Sequence, residues 1–196
     1  MKLMIRNSIT KDEIKFLPLL KFNGKIILIN GDNNLDEIMN ELYKAKMVGF
    51  DTETKPTFKK GQINPIALLQ FSLNGKAFLF RVHHSGIPEE IVDFLADPQV
   101  AKIGVALDDD FVQLRRQVDF EPQNIIDLNK LAPELGIENI GVRNLSAIFL
   151  GGRVSKNQQT SNWENPELTK SQLIYAATDA WVCLKIYQKM ISLNLI

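Results

Sequence analysis

The brevity and order of the apolar segments constrain this chain more than any other feature. Excluding glycine, no uninterrupted apolar run exceeds five residues in 196, far below the roughly 18 that a membrane-spanning helix needs. Short runs at 25–30, 47–50, 67–73, 77–82 and 101–106 have the length and the branched or aromatic content of strands. Asn74-Gly75, between the third and fourth runs, predicts a tight antiparallel hairpin. Helical spacing appears between and after these runs: Leu35, Ile38, Met39 and Leu42 within 34–45, then 88–95, 110–118, 128–135 and 145–150. Ile125-Ile126 predicts a last short strand. Thr169-x-x-Gln172 has the form of a capping box and opens a final helix running to about Leu193. The expected architecture is α/β, a mixed sheet of about five to six strands with one antiparallel hairpin, flanked by helices. Its parallel, doubly covered members are expected at 47–53 and 101–106.

Composition narrows the function classes. Apolar residues at 45% and charged residues at 23% are those of a globular chain. Twenty-three basic and 23 acidic residues cancel, so no global field draws in a polyanion, although local basic patches stay compatible with neutrality. Cys183 stands alone, which excludes an intrachain disulfide and any CxxC metal site. Lys11, Asp12, Glu13 and Lys15 break up a signal-peptide core. The chain reads as soluble and cytoplasmic, with no membrane contact.

Three anchors are candidates to carry the chemistry. Asp51-Thr52-Glu53 ends the apolar run at 47–50, and alternation puts both carboxylates on one face of a strand. Either the strand ends there in water, or a cation neutralises the pair. Asp108-Asp109-Asp110 follows the run at 103–107 and opens a helix. Such acids cap free N–H groups, but a strand-to-helix turn is also where α/β sheets place ligands. On the final helix, Tyr175 and Asp179 stand one turn apart. They lie at the margin of a core stripe through Leu173, Ala177, Ala180, Leu184, Tyr187 and Ile191, with Ser171, Thr178, Lys185 and Lys189 on the expected exposed side. Carboxylates without a cysteine or histidine ligand set favour a hard cation, Mg²⁺ or Mn²⁺, over zinc. Two such ions roughly 4 Å apart can clamp one phosphodiester.

Together these residues resemble the DEDDy branch of the DEDD 3′–5′ exonuclease superfamily, which has a ribonuclease H-like fold. Within it the chain is most similar to Werner-type exonuclease domains and more distantly to ribonuclease D. The first motif is matched by Val48-Gly-Phe-Asp51-Thr-Glu53, followed by Lys60-Gly61 and Ile66-Ala-Leu-Leu-Gln70. The second is matched by Gly104, Asp110 and Leu114, and the third by Tyr175 and Asp179 after Ser161-Asn-Trp163. The resemblance implies that Asp51, Glu53, Asp110 and Asp179 hold two divalent cations, Mg²⁺ or Mn²⁺. Asp109, one residue from Asp110, is the other candidate for the second-motif ligand. Tyr175 would orient the attacking water. The implied substrate is nucleic acid, DNA or RNA, with a free 3′ end. The expected organisation is a leader at 1–22 and a single exonuclease domain at 23–196, without a helicase or accessory domain.

Candidate substrate contacts are Thr52, Lys59 and Lys60 after the first motif, Leu69 and Gln70 on the next strand, and Trp163, which could stack a base. Arg153 and Lys156 belong with Arg143 to residues 141–160, which contain no acid and suit a phosphate track. Leu69 and Gln70 could equally be core, and Trp163 could equally support the Tyr175 helix. Two other classes of function remain open: a catalytically inactive nucleic-acid-binding module of this fold, and a Mg²⁺-dependent phosphoesterase on small molecules.

Overall fold

A computed structural model describes residues 6–31, 34–57, 61 and 63–196; Lys59 and Lys60 lie outside these. The chain runs α1 (Lys11–Lys15), β1 (Lys25–Ile29), α2 (Leu35–Lys44), β2 (Met47–Thr54), β3 (Ile66–Ser72), β4 (Lys76–Arg81), α3 (Val82–Ser85) and α4 (Glu89–Ala96). It continues through β5 (Ala101–Gly104), α5 (Asp108–Gln117), β6 (Ile125–Asp127), α6 (Leu128–Glu134), α7 (Val142–Leu150) and α8 (Lys170–Ser192). Among the described residues six strands form one sheet in the order β1-β4-β3-β2-β5-β6. The Asn74-Gly75 turn joins β3 and β4 antiparallel, with Ser72 opposite Ala77. β2 pairs antiparallel with β3 and parallel with β5, as the buried runs at 47–53 and 101–106 predict. Among the described residues no helix is long and apolar enough to cross a membrane.

Strand alternation sorts β2 onto two faces. Phe50 points into a core with Phe71, Phe80, Phe94 and Phe111, which α2, α4 and α5 cover. Gly49 points the other way, against α8. A Cβ at Gly49 would lie 1.9 Å from the Ala180 carbonyl oxygen, so the helix rests backbone to backbone on the strand. Asp51 and Glu53 follow on that same face, as β2 passes beyond its pairing with β5.

α8 opens with the expected capping box: Gln172 N–H donates to Thr169 Oγ1 at 3.2 Å, and Thr169 N–H donates to Gln172 Oε1 at 3.0 Å. Its buried surface is wider than the predicted stripe. Thr178, expected on the exposed side, is buried, because Phe22 of the N-terminal segment lies over it and donates its N–H to Thr178 Oγ1. Ile191, expected in the core, is 40% exposed. A single-helix periodicity places one wet face, whereas this helix has neighbours on more than one side, α7 as well as the sheet.

Candidate active site

Three carboxylates meet where β2 passes under α8. One oxygen each from Asp51, Glu53 and Asp179 lie within 4.8 Å of one another. The geometry follows from two periodicities: i and i+2 on the strand give Asp51 and Glu53, and the backbone contact at Gly49 brings Asp179 down onto them. Asp110 comes from the first turn of α5. Thr52 ties it in, donating its hydroxyl to Asp110 Oδ1 and its N–H to Asp51 Oδ1 at 3.0 Å. Thr52, expected as a substrate contact, therefore links two acids. Asp109 is exposed and Asp108 is paired with Lys130, so Asp110 is the aspartate of the three that joins the cluster.

Crowding the acids away from water raises their proton affinity. Glu53 is pushed up to about 10, first by burial and then by Asp51, Asp179 and Asp110. Asp179 rises to about 7, because burial outweighs the hydrogen bond from Tyr175. Asp110 rises to about 6 by burial, against the opposing bond from Thr52. Asp51 is raised well above the carboxylate range by burial, Asp179 and Asp110. The donor set is all oxygen and all acidic, which suits a hard divalent cation. Burial and the neighbouring acids also raise the Tyr175 phenol, so it stays protonated and serves as a donor.

Beside the acids runs a groove of about 380 Å³, lined by Tyr175 and Asp179 together with Arg143, Asn144 and Lys156. Lys156 therefore opens onto this groove, whereas Arg153 donates its Nε–H to the Leu17 carbonyl at 3.1 Å, anchoring the N-terminal segment. Leu69, Gln70 and Trp163 have no exposed surface, so these three expected substrate contacts lie inside the protein. Leu69 belongs to the phenylalanine core. Gln70 sits opposite Asp51 across the β2–β3 ladder. The Trp163 ring packs 6.0 Å from that of Tyr175 and backs it.

Asp127 was missed from sequence. Its carboxylate accepts from Ala106 N–H at 3.0 Å, Leu107 N–H at 2.9 Å and Asn129 N–H at 2.8 Å. It thereby fixes the turn into α5, where Ala106 has a φ of 61°, and with it the base of Asp110. The available signal was an acid between a short apolar strand and a helix, the strand-to-helix setting that marks Asp108-Asp109-Asp110.

Comparison with known proteins agrees with the motif resemblance. A family model described as 3′–5′ exonuclease matches residues 26–193. The chain is 30% identical to the mouse bifunctional 3′–5′ exonuclease/ATP-dependent helicase WRN over 199 residues, covering 96% of this chain and 14% of that protein. It is 35% identical to exonuclease 3′–5′ domain-containing protein 2 of Drosophila melanogaster over 160 residues, 80% of this chain and 27% of the relative. The chain therefore spans well under a third of either relative. The Aedes aegypti Nibbler EXO domain shares the fold with a TM-score of 0.80 at 22% identity, covering 90% of this chain and 93% of that one. With the family model covering nearly the whole chain and the acidic motifs converging in space, this protein belongs to the 3′–5′ exonuclease family.

Proposed function

We propose that this chain removes nucleotides one at a time from the 3′ end of DNA or RNA, using two divalent cations, Mg²⁺ or Mn²⁺, held by Asp51, Glu53, Asp110 and Asp179. The observation that carries this reading is the convergence of Asp51, Glu53 and Asp179 from two distant elements, with Asp110 tied in through Thr52. When bound, the cations supply activation of water and stabilisation of the departing 3′ oxygen. The chain itself supplies position. Asp51 and Glu53 are fixed by the strand, and Asp179 by the helix packed on it. Tyr175 donates to Asp179 and orients the attacking water beside it. Arg143 and Lys156 line the groove for the phosphate backbone.

The test offers 5′-labelled single-stranded and recessed-end DNA and RNA, with Mn²⁺ or with chelator. A ladder shortening from the 3′ end, dependent on metal and abolished in Asp51→Asn and Asp179→Asn, is the expected result. Binding without shortening favours the inactive module. Inert oligonucleotides alongside hydrolysis of small phosphoesters favour the small-molecule enzyme, and either outcome overturns the reading.

A further inference from the structure

Residues 6–22 precede the stretch matched by the family model, yet they are built into the edge of the groove. Leu20 N–H donates to the Arg153 carbonyl at 2.8 Å, and Arg153 N–H to the Pro18 carbonyl at 2.9 Å. Gly152 makes this crossing possible, since a Cβ there would lie 2.5 Å from the Leu20 side chain. Phe22 N–H donates to Thr178 Oγ1 at 3.0 Å, fixing the segment to α8 one residue from Asp179. Nearer the start, Ile9 N–H donates to Asn139 Oδ1 at 2.8 Å, and Ile14 is wholly buried.

So held, the segment contributes Lys11 to the active-site groove, beside Arg143 and Lys156. It also contributes Lys21 to a second recess of about 200 Å³ that Ser171 and Ile174 help to line. Tyr175 and Ser155 line both recesses, so the two meet there. Lys11 and Lys21 are exposed, and among the described residues neither has an acidic partner. The nearby acids are already engaged, Glu13 by Arg6 and Asp12 by Lys15.

We infer that residues 6–22 form one bank of the nucleic-acid groove, in which Lys11 and Lys21 contact backbone phosphates of a single-stranded 3′ tail on the two sides of Tyr175. The inference rests on the exonuclease reading and adds the segment that grips the tail. Recesses of about 380 and 200 Å³ suit individual nucleotides of one strand rather than stacked base pairs. Two unpaired ammonium groups spaced along them supply a sequence-independent hold.

The experiment measures binding of a 5′-fluorescein 12-nucleotide single strand across a salt series, in the Asp51→Asn background so that the strand stays intact. Lys11→Ala/Lys21→Ala should weaken binding about 10-fold near 0.1 M salt and lower the slope of log affinity against log salt by about 1.4, two contacts at roughly 0.7 each. Lys11→Arg/Lys21→Arg keeps both charges and should restore the slope. Lys44→Ala/Lys46→Ala removes equal charge beyond the opposite end of β2 and should leave it at the parent value. A parent slope in the Lys11→Ala/Lys21→Ala protein, while the unmutated enzyme shortens the same strand, overturns this inference and leaves the exonuclease reading intact. So does an arginine pair as weak as the alanine pair. An unmutated chain that neither binds this strand nor shortens it or any of the recessed-end DNA and RNA substrates overturns both.

Discussion

Tyr175 is held on two sides, by the Asp179 carboxylate that accepts its proton bond and by the Trp163 ring behind it. Its phenol is pushed above its ordinary value by burial and by Asp179 and Glu53, so it cannot take a proton from water near neutral pH. The contribution we propose for it is orientation. Tyr175→Phe keeps the packing against Trp163 and every carboxylate, and should lower kcat roughly 100-fold while leaving the Mn²⁺ concentration for half-maximal activity unchanged. Steady-state kinetics across a Mn²⁺ titration check this, and full turnover in the variant removes the assigned role. Thr52 shows the same economy of position, with one residue steadying Asp51 through its N–H and Asp110 through its hydroxyl.

At the scale of elements the site is a contact between β2 and α8, and Gly49 sets its spacing. Gly49→Ala forces a methyl onto the Ala180 carbonyl. It should cost about 3 kcal/mol of stability in urea unfolding and reduce turnover further by lifting Asp179 from Asp51. A variant with the parent midpoint and full activity contradicts that role. The same contact explains what could be read before the structure. Strand alternation and the Asn74-Gly75 turn depend on local chemistry, so β2, the hairpin and the pairing of Asp51 with Glu53 were legible. That an aspartate at 109 or 110 would face the site was legible too, but the choice between them stayed open until the Thr52 bond tied in Asp110. The burial of Thr178 was not legible, because it depends on Phe22, 156 residues away. For the same reason Arg153, an unpaired cation in the sequence, proved to be an anchor for Leu17, and it took the structure to choose, of the two readings open for Trp163, the one in which it backs Tyr175.

The whole molecule carries no net charge, yet Asp51, Glu53, Asp110 and Asp179 crowd like charges into one buried centre. Above their unfolded values near 4, these carboxylates bind more protons in the folded chain than in the unfolded one. Without cations, rising pH therefore removes stability, through about 6 for Asp110 and about 7 for Asp179 and onward towards about 10 for Glu53. In chelator the Tm should fall between pH 5 and pH 8. Saturating Mn²⁺ should raise it more at pH 8, where fewer protons compete for the carboxylates; an equal rise at both values contradicts this electrostatic origin. The most direct test of the centre itself is anomalous scattering from crystals grown with Mn²⁺. Two manganese peaks roughly 4 Å apart, bounded by Asp51, Glu53, Asp110 and Asp179, are the expected result. A map with no peak among these residues at saturating Mn²⁺, or with the four acids turned away from one another, contradicts it.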